Sequence, residues 1–372
     1  MLIKFYDCSD RNCTGTMLDL RHVQEMVGYT VLRPFGNRPS RNNVTLLAGR
    51  MWGVDVVCKV SQPLGATVRK ARGVPMSLAE WDGAAWACLA CTHSGRTAVA
   101  NTGPQCGQCG GETWSLTEAD FEYIPGPLEM EAKTAHLLSP LPKIADLLAS
   151  YLFGGRVPTA LMASLLDDTW PAAGALLAEW QQHSHVDLII TEHFGPTLRD
   201  RAITAAREVA DDAALEEDTL RMLLLVFESL QRLRDDGATA HQDAKLDNMG
   251  EVNGGLRLID LEFAHSRSMP NPIADFDGCA MTRRFVDGFD ELDVHTVLYS
   301  LLYFCGARYR RLPRLETLRC RVLGHSWPTP MQQHPHLNQR GFCIVYMEAR
   351  PPLPGTFEHA ITTTRQLLAS HA

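Results

Sequence analysis

The hydrophobic and polar positions follow a strand-like pattern near the N-terminus. Short β-branched runs occupy residues 29–32, 44–47 and 54–60. A polar segment over 36–43 separates the first two runs, and Trp52-Gly53 separates the second from the third. Such runs, divided by Gly, Pro and Asn, predict an antiparallel meander of strands.

Further along the chain the apolar positions recur at helical spacing. The clearest helix is predicted over residues 218–234, where one face is apolar: Leu220, Leu223, Leu224, Phe227, Leu230 and Leu233. Similar spacing predicts helices over 127–153, 295–304 and 356–370. A β-rich part followed by a mainly helical part predicts an α+β fold with two lobes.

Composition places the chain among ordinary globular proteins. It has 372 residues, of which 45% are hydrophobic and 21% charged, and its formal net charge is −8. The negative charge argues against a broad basic surface for nucleic acid. No apolar run is long enough to cross a bilayer, and residues 1–7 lack the apolar core of a secretory signal. We therefore expect a cytoplasmic or nuclear protein with no membrane partner.

A polar stretch follows the predicted helix, which we expect to end at Gly237. Residues 241–248 read His-Gln-Asp-Ala-Lys-Leu-Asp-Asn, and a short apolar strand predicted over 256–259 ends in Asp260. Helix, polar loop, short hairpin and a carboxylate at the end of a strand form an arrangement suited to phosphoryl transfer.

Phosphoryl transfer needs a carboxylate that orients the acceptor hydroxyl and takes its proton. It also needs an amide and a second carboxylate that hold Mg²⁺ against the nucleotide phosphates. Asp243, Asn248 and Asp260 meet these needs in that order. Lys245 stands two residues after the proposed base, where it can neutralise charge on the γ-phosphate.

The stretch 241–248 resembles the catalytic loop of the protein kinase superfamily, and Asp260-Leu261-Glu262 stands where that family has Asp-Phe-Gly. Lys59, at the end of Val56-Val57-Cys58-Lys59, resembles the strand lysine that holds the α- and β-phosphates. The resemblance implies an ion pair between Lys59 and a glutamate on the next helix. Glu131 is the expected partner, with Glu129 as the alternative.

The same resemblance extends to the rest of the fold. Residues 188–195, which include Glu192 and Phe194, resemble the last strand of the small lobe and the hinge that grips adenine through its backbone. Asp293 resembles the buried aspartate that opens the central helix of the large lobe. These matches imply a small lobe over 1–192, a large lobe over 193–372, and the use of ATP and Mg²⁺.

The chain also departs from the kinase pattern. Gln242 replaces the arginine that pairs with a phosphorylated activation loop, so control by such phosphorylation is not expected. Leu261-Glu262 replaces Phe-Gly after the metal-binding aspartate. Of the glycines in the phosphate-covering loop, Gly36 alone is matched.

Four of the eleven cysteines form two closely spaced pairs. Cys88 and Cys91 make one C-x-x-C knuckle, and Cys106 and Cys109 make the second. Four thiolates in tetrahedral geometry select structural Zn²⁺. The segment 84–113 resembles a zinc ribbon, inserted either as a structural staple or as a contact surface for another protein.

Three functions are compatible with these residues. Lys245 favours an active Ser/Thr protein kinase with a protein substrate, because a lysine at that place typifies those kinases. Ile259-Asp260-Leu261-Glu262 resembles the Ile-Asp-x-Glu of choline and aminoglycoside phosphotransferases, so a small-molecule kinase is the alternative. The incomplete phosphate loop allows a third reading, an inactive pseudokinase that serves as a binding scaffold.

Overall fold

The structure is a computed structural model that describes residues 32–34, 44–51, 54–61, 67–68, 85–88, 94–96, 113–115, 121–122, 127–166, 169, 171, 173–266, 289–323 and 356–370. Antiparallel sheets and helices are both present, so the predicted α+β class is confirmed.

Fourteen strands lie in the described ranges: β1 (Arg33–Pro34), β2 (Val44–Met51), β3 (Val54–Ser61), β4 (Thr67–Val68), β5 (Ala85–Cys88), β6 (Ser94–Arg96), β7 (Thr113–Ser115), β8 (Phe121–Glu122), β9 (Tyr151–Pro158), β10 (His185–Glu192), β11 (Thr239–Ala240), β12 (Met249–Val252), β13 (Gly255–Leu258) and β14 (His265–Ser266). The main sheet is antiparallel with the order β1-β2-β3-β10-β9. A separate three-stranded sheet has the order β6-β5-β7.

The described helices are α1 (Pro127–Leu138), α2 (Thr159–Leu165), α3 (Ala173–Trp180), α4 (Leu198–Glu208), α5 (Asp212–Gly237), α6 (Phe289–Tyr299), α7 (Pro313–Leu323) and α8 (Phe357–Ala369). Helices α5 and α8 confirm the two helices predicted over 218–234 and 356–370. None of the helices in the described ranges is both long and apolar enough to cross a bilayer.

Two helix predictions were partly wrong. The helix predicted over 127–153 ends at Leu138, because Pro140 and Pro142 cannot continue it, and residues from Tyr151 onward form β9. The helix predicted over 295–304 begins earlier, at Phe289, and its last five residues form a π-helical turn, Ser300–Phe304.

The end of α5 also differs in detail from the sequence-based expectation. Gly237 is the last helical residue, but the left-handed conformation that closes the helix belongs to Ala238, with φ of 47°. The N–H of Ala238 donates to Leu233 O, which satisfies one of the last carbonyls of the helix. The chain turns there into β11 and the polar loop.

Strand alternation gives the main sheet two different faces. On β3, Val56, Cys58 and Val60 are buried together with Leu188 and Ile190 of β10 in a cluster that α2 and α3 cover. Lys59 and Ile189 are paired across the two strands and face the other way. Ile189 belongs to the second cluster.

The second hydrophobic cluster holds most of the helices together. It joins α1 and the β12–β13 hairpin with apolar faces of α4 to α8. The side chains of α1 that enter it lie three or four residues apart, at Leu128, Ala132, Ala135 and Leu138. Lys59 therefore lies on the sheet face that is directed to the second cluster, as Ile189 does.

A buried ion pair fixes α7 against α5. Glu216 accepts from Arg314 Nε at 2.8 Å and from the main-chain N–H groups of Arg314 and Leu315 at 2.5 and 3.1 Å. These N–H groups belong to the first turn of α7, where they lack helical partners. The carboxylate therefore satisfies the end of a helix and a buried guanidinium together.

We predict that Glu216→Ala lowers the free energy of unfolding by about 3–5 kcal/mol, because Arg314 would stay buried without its counter-charge. The measurement is equilibrium unfolding in urea. Glu217→Ala is the matched control, since Glu217 pairs with Arg221 on the surface of the same helix and should cost about 0–1 kcal/mol. Equal losses in the two variants would contradict the prediction.

Candidate active site

Lys59 is the centre of a three-residue ion cluster. Its Nζ lies 2.7 and 2.9 Å from the two carboxylate oxygens of Glu131 and 2.7 Å from Asp260 Oδ1. Glu129, the alternative partner, instead pairs with Lys133 on its own helix at 2.6 Å. The structure thus brings Lys59 to Glu131 and joins β3, α1 and the segment after β13 at one point.

Glu131 has further hydrogen-bond donors that sequence reasoning missed. Tyr151 Oη donates to Glu131 Oε1 at 2.9 Å, and the main-chain N–H of Asp260 donates to the same oxygen at 3.3 Å. The register of β9 and β10 shifts between Ile190 and Thr191, next to Tyr151. No sequence signal pointed to Tyr151, since its segment was predicted as helix.

One lysine serves two carboxylates in this cluster, and the pKa directions reflect it. Burial opposes charge on Lys59, but Asp260 and Glu131 outweigh it and raise the pKa of the ammonium. Burial would raise the pKa of Asp260, yet Lys59 outweighs burial and lowers it. For Glu131, burial together with repulsion from Asp260 raises the pKa despite Lys59. Two carboxyl groups thus share one ammonium in this cluster, and Asp260 is the one that Lys59 holds ionised.

The loop residues Asp243, Lys245 and Asn248 are in direct contact. Lys245 Nζ lies 2.6 Å from Asp243 Oδ2, and Asn248 Nδ2 donates to the same oxygen at 2.9 Å. Asn248 Nδ2 also donates to the main-chain carbonyl of Asp243 at 2.9 Å. Burial raises the pKa of Asp243 despite the opposing effect of Lys245, which makes the carboxylate a better proton acceptor.

Main-chain contacts hold the start of this loop. The N–H groups of His241 and Gln242 donate to the two carboxylate oxygens of Asp293, at 2.9 and 2.7 Å. Gln242 adopts a left-handed conformation with φ of 61°, which is uncommon outside glycine. Burial lowers the pKa of His241, and its neutral ring donates from Nε2 to Ile259 O at 3.0 Å, so this histidine has a structural contact.

The β12–β13 hairpin brings the loop and the Lys59 cluster together. The N–H of Ile259 donates to the main-chain oxygen of Asn248 at 3.0 Å. Ile259 precedes Asp260 and Asn248 ends the polar loop, so this bond joins the two parts of the site. Asp260 is itself left-handed, with φ of 63°, and precedes a 3₁₀ turn over Leu261–Phe263. Asp260 is also close enough to Asp243 for its negative charge to contribute to the raised pKa of Asp243.

Glu262 is a fourth carboxyl group in the site. It is buried, and burial, followed by repulsion from Asp260, raises its pKa to about 8. Together the site holds four carboxyl groups, on Glu131, Asp243, Asp260 and Glu262, and two amines, on Lys59 and Lys245. A divalent cation bound beside Asp260 would favour the ionised forms of these carboxyl groups.

The donor set fits Mg²⁺ bound with a nucleotide. Within the described ranges, no group of three or more His, Cys, Asp or Glu side chains forms a metal cage. Mg²⁺ is usually held by one or two protein oxygen ligands together with substrate phosphates, so such a cage is not required. The Asp260 carboxylate and the Asn248 amide oxygen would supply that smaller set. The two hydrogen bonds of Asn248 come from Nδ2, so its amide oxygen is not used by them.

The predicted hinge lies beside the hairpin. Glu192 is exposed at the end of β10, and its N–H donates to Ser150 O at 2.9 Å. The Phe194 ring packs directly on β12, since a Cβ on Gly250 would lie 2.0 Å from ring atom Cε2. Glycine at 250 is therefore required for this contact. A cavity of about 210 Å³ lies here, lined in part by Glu192, Phe194 and Arg257.

Several predicted site residues fall outside the described part of the chain. Gly36 of the predicted phosphate loop is one, and Cys91, Cys106 and Cys109 of the predicted zinc ribbon are others. Cys88 is the last residue of β5, a strand described without its side chains. The phosphate loop and the zinc ribbon therefore stay predictions.

Comparisons with known proteins found similar solved structures at low sequence identity. No protein-family model matches the chain, and no curated protein matches its sequence. The chain is similar to the solved structure of WaaP in complex with acyl carrier protein, with a TM-score of 0.33 and 11% identity, covering 94% of this chain and 92% of that one. It is similar also to the crystal structure of the BubR1 kinase domain, with a TM-score of 0.40 and 10% identity, covering 92% and 82%.

We predict that Tyr151→Phe lowers the free energy of unfolding by about 1.5–3 kcal/mol, because its hydroxyl donates to a buried charged group. The measurement is again equilibrium unfolding. Tyr309→Phe is the matched control: Tyr309 is buried too, and its hydroxyl donates to the neutral carbonyl of Ala202 at 2.6 Å. Tyr309→Phe should lower the free energy of unfolding by about 0.5–1.5 kcal/mol. A larger decrease than for Tyr151→Phe would contradict the contribution that we assign to the Glu131 carboxylate.

Proposed function

We propose that this protein is an ATP- and Mg²⁺-dependent phosphotransferase with a protein-kinase-like fold. The observation that carries the proposal is the meeting of two side-chain groups at the β12–β13 hairpin. One group joins Lys59, Glu131 and Asp260, and the other joins Asp243, Lys245 and Asn248. A nucleotide-holding lysine, metal ligands and a base with an adjacent cation are the parts that phosphoryl transfer needs.

The residues have separate roles in the proposed reaction. Asp243 orients the acceptor hydroxyl and takes its proton as the oxygen attacks the γ-phosphorus and the bond to the nucleoside diphosphate breaks. Lys245, within 2.6 Å of Asp243, neutralises charge on the transferred group. Asn248 and Asp260 would hold Mg²⁺, which supplies charge neutralisation on the phosphates when bound.

Lys59 holds the α- and β-phosphates in this proposal. Glu131 fixes the direction of the lysine side chain, and Tyr151 fixes Glu131. The bond from Lys59 to Asp260 gives the amine a second carboxylate neighbour, and phosphate oxygens would compete for the same ammonium. Glu131 is thus a positioning residue for the nucleotide.

The hinge supplies the nucleobase contact through its main chain. The N–H groups of Glu192 and His193 already donate to Ser150 O and Asp55 O, at 2.9 and 2.8 Å. Among the described residues, no main-chain carbonyl accepts the N–H of Phe194. We therefore assign the N–H of Phe194 to the adenine ring.

The acceptor is the open part of the proposal. Lys245 favours the hydroxyl of a serine or threonine in a protein substrate. The buried Glu262 beside Asp260 favours the second candidate, a small-molecule kinase similar to the choline and aminoglycoside phosphotransferases, whose motif has a glutamate at that place. The lobes over 1–192 and 193–372 are part of the same proposal. The second hydrophobic cluster crosses this boundary, because it joins α1 and Ile189 to helices α4 to α8.

We predict that Asp243→Asn lowers kcat for phosphate transfer from ATP by a factor of about 10²–10⁴, because the amide cannot take the proton. The measurement is transfer of labelled phosphate with Mg²⁺, either to a generic protein substrate or to a panel of small hydroxyl and amine compounds. The KM for ATP should stay near the wild-type value, since Asp243 contacts the acceptor rather than the nucleotide.

Asp235→Asn is the control for this assay, because Asp235 pairs with Arg234 on the protein surface. Label on protein that depends on Asp243 supports the protein kinase. ATP turnover that requires a small compound supports the second candidate. A wild-type protein that neither binds ATP nor transfers phosphate would leave the pseudokinase scaffold and refute both kinase proposals.

We propose also that Cys88, Cys91, Cys106 and Cys109 bind structural Zn²⁺. The purified protein should contain about one zinc ion per chain, and Cys106→Ser should remove most of it. Elemental analysis of the wild type and of each variant is the measurement. Cys320→Ser is the control, because Cys320 is an exposed free thiol and its loss should not change the zinc content. Equal zinc content in all three proteins would refute the assignment.

A further inference from the structure

The loop that carries Asp243 is attached to one helical segment at two places. The first attachment is Asp293 of α6, which accepts the N–H groups of His241 and Gln242. The second lies at the other end of the loop, where the N–H of Leu246 donates to Ser300 Oγ at 3.1 Å. Leu246 and Ser300 are both buried, so water cannot readily replace this bond.

The spacing of the two attachments matches the loop between them. Asp293 and Ser300 are seven residues apart, which is about two helical turns and about 10.5 Å along the axis. They consequently lie on the same face of the segment. Asp243 and Lys245 lie between the two attachment points in the chain.

A local irregularity begins at Ser300. The α-helical part ends at Tyr299, and Ser300–Phe304 forms a π-helical turn. Single π turns within helices often occur at functional sites. The thiol of Cys305 donates to Ser300 O at 3.6 Å, so a second contact holds the serine backbone in this turn.

The Ser300 bond also determines where Asn248 stands. Leu246 is the first residue of a 3₁₀ turn, Leu246–Asn248, and the N–H of Asn248 donates back to Lys245 O at 2.9 Å. Fixing the Leu246 N–H fixes the start of this turn. Asn248 then reaches Asp243 with its amide.

We infer that Ser300 is a positioning residue for phosphate transfer, which sets the distance between the base Asp243 and the metal ligand Asn248. The inference rests on the proposed function and adds a residue that touches none of the reacting groups. Its effect should appear mainly in kcat, because the geometry of the loop matters for the chemical step, while nucleotide binding depends chiefly on Lys59 and the hinge.

The test compares Ser300→Ala, Ser300→Cys and the wild-type protein in the full chain. Ser300→Ala should lower kcat about 10-fold, since small displacements of catalytic groups reduce rates strongly, and should change the KM for ATP much less. The thiol of Ser300→Cys is a weaker acceptor than a hydroxyl, so the kcat of this variant should lie between those of the wild type and Ser300→Ala. Hydrogen–deuterium exchange over residues 241–248 should be slowest in the wild type, faster in Ser300→Cys and fastest in Ser300→Ala.

Thr364→Val is the matched control. Thr364 is buried, and its hydroxyl donates to Ala360 O within α8, so the change removes a buried hydroxyl away from the loop. This variant should keep the wild-type kcat and the wild-type exchange over 241–248. A kcat loss equal to that of Ser300→Ala would overturn the inference by showing a general effect of stability.

Wild-type kcat and exchange in a folded Ser300→Ala would also overturn it. If Ser300→Ala does not fold, Ser300→Cys decides by the same two measurements. An inactive wild-type protein would contradict the proposed function itself, and the exchange data would then show separately whether Ser300 holds the loop.

Discussion

The structure depends on one ammonium group shared by two carboxylates. Lys59 contacts Glu131 and Asp260, which are 72 and 201 residues away along the chain. These contacts tie β3 to α1 and to the segment that follows β13. Because the group is buried, each charge needs its partner, and the three elements cannot separate without exposing or stranding a charge.

The site forms where two hydrophobic clusters meet. Strand β10 contributes to both, with Leu188 and Ile190 in one and Ile189 in the other. The polar groups lie at this boundary, where α1 and the hairpin are held by one cluster and β3 by the other. Packing within each hydrophobic cluster fixes the backbone on its side, and the ion cluster of Lys59, Glu131 and Asp260 lies between the two hydrophobic clusters.

Local sequence signals predicted the parts of the site that lie close together in the chain. The loop around Asp243, the hairpin and the long helix α5 follow from short-range patterns. Tyr151 could not be predicted, because the apolar spacing over 127–153 imitated a helix through two prolines. Ser300 could not be predicted either, since its bond to Leu246 joins residues 54 apart. The choice between Glu131 and Glu129 needed the orientation of α1.

The attachment of the loop to Asp293 uses only backbone N–H groups on the loop side. Any amino acid except proline can supply such a group, so the attachment to Asp293 does not itself require His at 241 or Gln at 242; the His241 ring is used for a separate bond to Ile259 O. A residue at position 242 must also adopt the left-handed φ observed there. The position of the loop on α6 is therefore encoded by Asp293 and by the backbone conformation at 242 rather than by a side chain of the loop.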